Sequence, residues 1–154
     1  MKKKTALLYI FNFFFFLLSN YSYAEKIIIS SEQLEVFRDT GLSIFKGNVY
    51  ASDEILKIWT DHLEVKYNQV NEEITQIEAK GNVKIIRLDL QAKGDYSIYH
   101  TKREELFISG EVVVTEGSNV IECDELTVDL INSKSIMKSS KSKRIKAQIF
   151  KQDE

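Results

Sequence analysis

The chain has 154 residues and a formal net charge of −2, enough for one domain without the basic surface that non-specific nucleic-acid binding needs. Its single cysteine, Cys123, excludes an intrachain disulfide, so strand pairing and core burial must hold the fold. There is no proline, which suits a chain of many uninterrupted strands because proline cannot donate to a ladder.

Lys2, Lys3 and Lys4 precede an almost wholly apolar run over residues 6–18, broken only by Asn12. A short polar stretch follows and ends Ser22-Tyr23-Ala24. A basic start, an apolar core shorter than the roughly 20 residues that cross a bilayer, and small residues before a cut describe a secretory signal peptide. The sequence thus predicts a signal peptide over 1–24, cleaved to leave one domain over 25–154. The competing reading is an uncleaved single-span anchor.

From residue 27 the pattern is that of strands. Ile27, Ile28 and Ile29 form a β-branched run and the first strand. Residues 34–38 alternate, Asp39-Thr40-Gly41 turns, and 42–51 return. After a turn at 52–54 come 55–59 and 63–67, joined by a corner at Thr60-Asp61, then a polar loop over 68–73. Strands follow at 74–87, 88–91, 96–100 and 106–114, with turns at Lys93-Gly94-Asp95 and over 102–105. Gly117-Ser118-Asn119 makes a hairpin into 120–123 and 126–130. Asn132-Ser133-Lys134 turns into 135–138, residues 139–143 are polar and basic, and 144–150 alternate as a last strand.

Two motifs recur along this course. Phe45-Lys46-Gly47-Asn48-Val49-Tyr50-Ala51 is echoed by Ala79-Lys80-Gly81-Asn82-Val83-Lys84-Ile85 and by Ile108-Ser109-Gly110-Glu111-Val112-Val113-Val114. Glycine weakens a strand interior, so its return at Gly47, Gly81 and Gly110 implies a bulge, a bend or a close approach. Between these copies runs a second pattern: apolar, x, small, acidic, x, apolar, x, apolar. It is clearest in residues 58–65, around Asp61, and in 121–128, around Asp124. Residues 29–36 match it too, and 90–98 fit with one extra residue. Self-similarity at about thirty residues marks stacked supersecondary units. The pattern predicts an all-β, antiparallel meander with one face apolar along its whole length.

The apolar alternating positions are Val36, Val49, Leu63, Val65, Ile77, Val83, Ile85, Tyr96, Ile98, Ile108, Val112, Val114, Leu126 and Val128. By composition they are core. His62 and His100 stand alone, with no second ligand at a metal-binding spacing, so no metal or other cofactor is expected. Cys123 fits a small buried hydrophobe. Asp61 and Asp124 have no nucleophile or phosphate loop beside them; they are expected to bond nearby backbone, and no enzyme is read here. Lys138, Lys141, Lys143, Arg144 and Lys146 form the basic cluster of a solvated loop and strand face, open to anionic contacts.

The glycine strands, the corners and the closing Ser142-Lys143-Arg144-Ile145-Lys146-Ala147-Gln148-Ile149 resemble the OstA-like domain of the lipopolysaccharide transport system, over residues 26–152. That resemblance implies an open antiparallel β-jelly roll whose two sheets enclose an apolar cleft. The cleft would shield the acyl chains of lipopolysaccharide (lipid A), and the fourteen positions above would line it. It also implies a periplasmic bridge that stacks head to tail and docks on inner-membrane and outer-membrane transport proteins. Ile27, Ile28 and Ile29 would form one docking edge, and Ile145, Ala147 and Ile149 the other. The alternatives are an anchored inner-membrane member of the same system and a filled structural β-protein without a ligand.

Overall fold

The structure is a computed structural model that describes residues 26–150. The expected signal peptide, 1–24, lies outside the described residues. The described residues form ten strands: β1 (Ile28–Ser30), β2 (Gln33–Phe37), β3 (Leu42–Ser52), β4 (Leu56–Tyr67), β5 (Ile74–Arg87), β6 (Leu90–His100), β7 (Glu105–Glu116), β8 (Asn119–Asp129), β9 (Lys134–Lys138) and β10 (Lys146–Gln148). All belong to one open antiparallel sheet in the order β1-β3-β4-β5-β6-β7-β8-β10. β2 pairs with the other half of β3, and β9 with the other half of β8. Each edge is therefore one broken strand, β1–β2 at the start and β9–β10 at the end.

The six long strands are broken too, but only by bulges. Between each pair the register slips where a glycine strand meets a corner: at Lys46/Val49, Trp59/His62, Lys80/Val83, Lys93/Tyr96 and Ser109/Val112. These slips line up across the sheet as a crease. It separates a half bounded by β2 and β9 from a half bounded by β1 and β10. The halves fold toward each other, since one hollow is lined by Ile29, Ala51 and Ile58 from one half and Leu63, Val65 and Ile77 from the other. This is the open β-jelly roll, with the two expected sheets realised as two halves of a single hydrogen-bonded sheet.

Several expected breaks are absent. Residues 55–59 and 63–67 are not two strands, because β4 runs through the Thr60-Asp61 corner, and β8 runs likewise through Cys123-Asp124. Lys93-Gly94-Asp95 is not a turn but the bulged middle of β6. The turn lies earlier, at Leu88-Asp89, where Leu88 takes a φ of +56° and is 69% exposed. A leucine gives no sequence signal for that backbone.

The core lies along the crease on the inner face. Leu63, Ile108, Val49, Val83 and Val112 are its largest fully buried side chains. Ala79 and Ala92 are equally buried and keep the two halves close. Cys123 joins this cluster as a small hydrophobe, and burial pushes its thiol pKa up, with the neighbouring Asp124 charge adding to the shift.

Candidate functional site

Directly opposed residues of antiparallel strands share a face, so the register sorts each side chain. In the β2–β9 half, one inner row runs Leu34, Phe45, Leu63, Ala79, Ser97, Ile108, Leu126, Met137. The next runs Val36, Ser43, Val65, Ile77, Tyr99, Leu106, Val128, Ser135. In the other half the row Ile29, Ala51, Ile58, Ile85, Ala92, Val114, Ile121, Ala147 crosses from the first edge to the last. Both edges thus open onto a continuous apolar surface. At the first edge the inner-facing Leu34 and Val36 are 53% and 51% exposed.

The structure places Val36, Val49, Leu63, Val65, Ile77, Val83, Ile85, Ile108, Val112, Val114, Leu126 and Val128 on this inner face. Tyr96 and Ile98 are not there. Tyr96 opposes Lys80 and Ser109, and Ile98 opposes Glu78 and Phe107, all on the outer face. The cause is phase: the β6 corner begins at Ala92 and slips as β4 does at Thr60-Asp61, which puts Ser97 and Tyr99 in the places of Leu63 and Val65. Ala92 and Gly94 point inward, the chain slips one position at Asp95, and Ser97 and Tyr99 take the inner places. Sequence reasoning also missed Phe45, Ala51, Ile58, Leu106 and Met137. The parity of Val49, Thr60 and Ile108 could have found the first four.

The crease is built by paired motifs. Gly47, Gly81 and Gly110 have φ of +78°, +80° and +88°, and each is followed by a second residue of positive φ: Asn48, Asn82 and Glu111. An acidic residue of the preceding corner covers each glycine: Glu32 over Gly47, Asp61 over Gly81 and Asp95 over Gly110. Asn82 Nδ2 donates to Asp61 at 2.7 Å, and Asn48 Nδ2 donates to Glu32. The corner carboxylate of Asp61 thus bonds a side chain across the strands rather than nearby backbone. The small corner residues have packing reasons. Thr60 Oγ1 lies 2.9 Å from the Gly81 carbonyl and 3.0 Å from that of Lys80. A Cβ on Gly94 would meet the Ile108 side chain at 2.8 Å.

The third corner has Glu111 where the others have asparagine. Glutamate is a poor left-handed residue and cannot donate to Asp95, whereas asparagine tolerates that backbone and can. Glu111→Asn is expected to raise the melting temperature by a few degrees, for a gain of about 1 kcal/mol. A scanning-calorimetry trace no higher than the parent's would refute that account of the corner.

The fourth corner acid, Asp124, has no glycine strand after it. It accepts instead from the Ser140 backbone N–H at 2.7 Å and lies 3.4 Å from Lys143 Nζ. The Ser140 N–H is the main reason its carboxyl is held below the usual range. Residues 139–145 thereby stand as a loop between β9 and β10. The basic cluster is partly paired there: Lys143 with Asp124, and Lys146 with Glu122 at 3.9 Å.

The outer face is polar near the crease. Lys80 lies 3.1 Å from both Glu64 and Glu78, and His62 Nε2 lies 3.0 Å from Glu64. Burial acts to raise the Glu64 pKa, but the hydrogen bonds from His62 and Lys80 outweigh it and lower it. No group of residues that could hold a metal occurs among the described residues.

A family model described as LptA/(LptD N-terminal domain) LPS transport protein matches residues 28–134, from β1 to the start of β9. The chain belongs to this family. It is a family of transport proteins, not of enzymes. Among solved structures, the chain is similar to the crystal structure of LptH from Pseudomonas aeruginosa. That protein is described as the LptA-homologous periplasmic component of the conserved lipopolysaccharide transport device. The match has a TM-score of 0.72 and 14% identity, and covers 82% of this chain and 96% of LptH. At that identity it speaks for the fold: an LptA-like open jelly roll. No curated protein sequence matches the chain. Residues 139–150, which carry the loop and β10, lie beyond the family match.

Proposed function

We propose that this LptA-family protein is a periplasmic carrier that holds the acyl chains of lipopolysaccharide in its apolar cleft. It would pass them along a head-to-tail bridge from inner-membrane to outer-membrane transport proteins. In this reading the segment 1–24 is removed on export. The observation that carries the proposal is the inner face, predominantly apolar, with one row apolar from edge to edge, and open at Leu34 and Val36. Each CH₂ of an acyl chain left in water costs about 0.8 kcal/mol, so a carrier needs such a surface. The hollow between the halves is narrow, and loading would require the two halves to part.

The test uses the open edge, where a charge can be placed without unfolding the protein. Val36→Asp is expected to keep the circular dichroism spectrum and melting temperature near the parent's and to cut photocrosslinking to lipopolysaccharide several-fold. Undiminished crosslinking in Val36→Asp and Leu34→Asp alike would sink the cleft reading in favour of a filled structural sheet.

Matching edges support head-to-tail assembly. β2 and β9 each have five residues, and β1 and β10 each have three. Alternation along the meander makes β9–β10 run opposite to β1–β2, so the last edge of one copy can add to the first edge of the next as an antiparallel pair. Ile27 and Ile28 at the first edge and Ile145 and Ile149 around the last are exposed, and Ala147 lies in β10. Such heterologous contacts extend into open filaments unless the rotation between copies closes a ring. Removing residues 144–154 is expected to leave a folded monomer, while the full domain grows with concentration in sedimentation velocity. Equal sedimentation of the two forms would show that β10 is not the docking edge.

A further inference from the structure

β10 is held weakly. It has three residues, all exposed, and pairs with β8 through Lys146–Glu122, Ala147–Ile121 and Gln148–Val120 only. Seven residues of loop separate it from β9, where the equivalent point of β3, β5 and β7 is a two-residue glycine bulge. At those three bulges an acid of the preceding corner sits over the glycine. Asp124 occupies the same place in β8, and its partners are the loop's own Ser140 N–H and Lys143. Beyond the loop, Phe150 N–H donates to Asn119 Oδ1 at 3.0 Å.

We propose that Asp124 is the residue that positions the docking edge: by gripping the loop at Ser140 it sets the register in which β10 lies on β8, and so whether β9 and β10 present one continuous edge to the next copy. This rests on the head-to-tail reading above. The loop takes up an extra length that, left free, would let β10 slide or detach, because three exposed residue pairs carry little ladder stability. With the grip in place, β9 can add to β2 and β10 to β1 of the next copy at the same time. Without it, only the β9 half is ordered, and one half of the edge cannot sustain the contact that two sustain.

The test compares the parent, Asp124→Ala and Asp124→Asn. Asparagine keeps an acceptor for the Ser140 N–H and loses the charge beside Lys143. Hydrogen exchange at residues 146–148 is read on dilute monomer, and assembly by sedimentation velocity at rising concentration. Asp124→Ala is expected to exchange several-fold faster at β10, with residues 63–65 and 83–85 unchanged. It should need several-fold more protein to assemble, and Asp124→Asn should recover most of both. Unchanged exchange at β10 in Asp124→Ala would overturn the inference whatever the assembly result. Faster exchange with unaltered assembly would overturn the link to docking. A parent that exchanges as expected yet never assembles would bring down the head-to-tail reading, and this inference with it. If protection falls across the central strands as well, Asp124 supports the whole sheet and its specific role is refuted.

Discussion

Gly110→Val is expected to lower the melting temperature by roughly 10 °C or more. Two costs combine. A φ of +88° is a conformation that a β-branched residue scarcely adopts, worth about 1–3 kcal/mol. The new Cβ would also stand 2.6 Å from the Asp95 Cβ, so the clash cannot be relieved by turning the carboxylate aside. Both strands must shift, and the corner of β6 with them. Gly117→Ala provides the contrast. Its φ is +57° but nothing lies within 4 Å of the added Cβ, so only the backbone cost remains, about 1 kcal/mol. Valine is favoured in ordinary strands. A Gly110→Val variant as stable as the parent would therefore mean that the crease does not need its glycines.

Val112→Asp is expected to abolish cooperative folding. Val112 is fully buried on the inner face of β7, opposite Cys123. Val112 belongs to a cluster of buried apolar side chains, so the carboxylate would have to be buried among them or bring water into the core. Either costs several kcal/mol, against a total stability of roughly 5–15 kcal/mol for a typical domain. Urea titration followed by tryptophan fluorescence at Trp59 would register a lost or strongly shifted transition. A midpoint close to the parent's would show that the inner face at Val112 is wet. The comparison with Val36→Asp separates residues that fill the crease from those that line the open mouth.

The strands and their order were legible because the chain alternates so regularly. The glycine strands gave their own reason for attention, and β5 begins and ends at the residues the pattern marks. What escaped was phase. A bulge adds a residue without changing the look of an alternating sequence, so Tyr96 and Ile98 read as inner although Ser97 and Tyr99 hold those places. The corner acids could be seen, but not their partners: Asp61 meets Asn82 and Asp124 meets Ser140 only once the strands are laid side by side. The last strand was overestimated. Over residues 144–150 alternation is present, yet only Lys146–Gln148 pair with β8. The two edges of the sheet were legible as β-branched or alternating runs at either end. Their matching lengths needed the register.

In this sheet every strand is hydrogen-bonded only to the strand before it and the strand after it, apart from the split edges. No segment must wait for a distant one to arrive. The chain can therefore close hairpin by hairpin, a route with low loop-closure entropy at each step. The same nearest-neighbour order governs the folded state. Opening at the ends need not propagate, as in a stack of repeats whose stability sums over adjacent units. Protection against exchange should then fall off in steps from β5 and β6 toward both margins. A molecule built this way is a zipper with two free ends: its margins can yield to a neighbour while its middle stays shut.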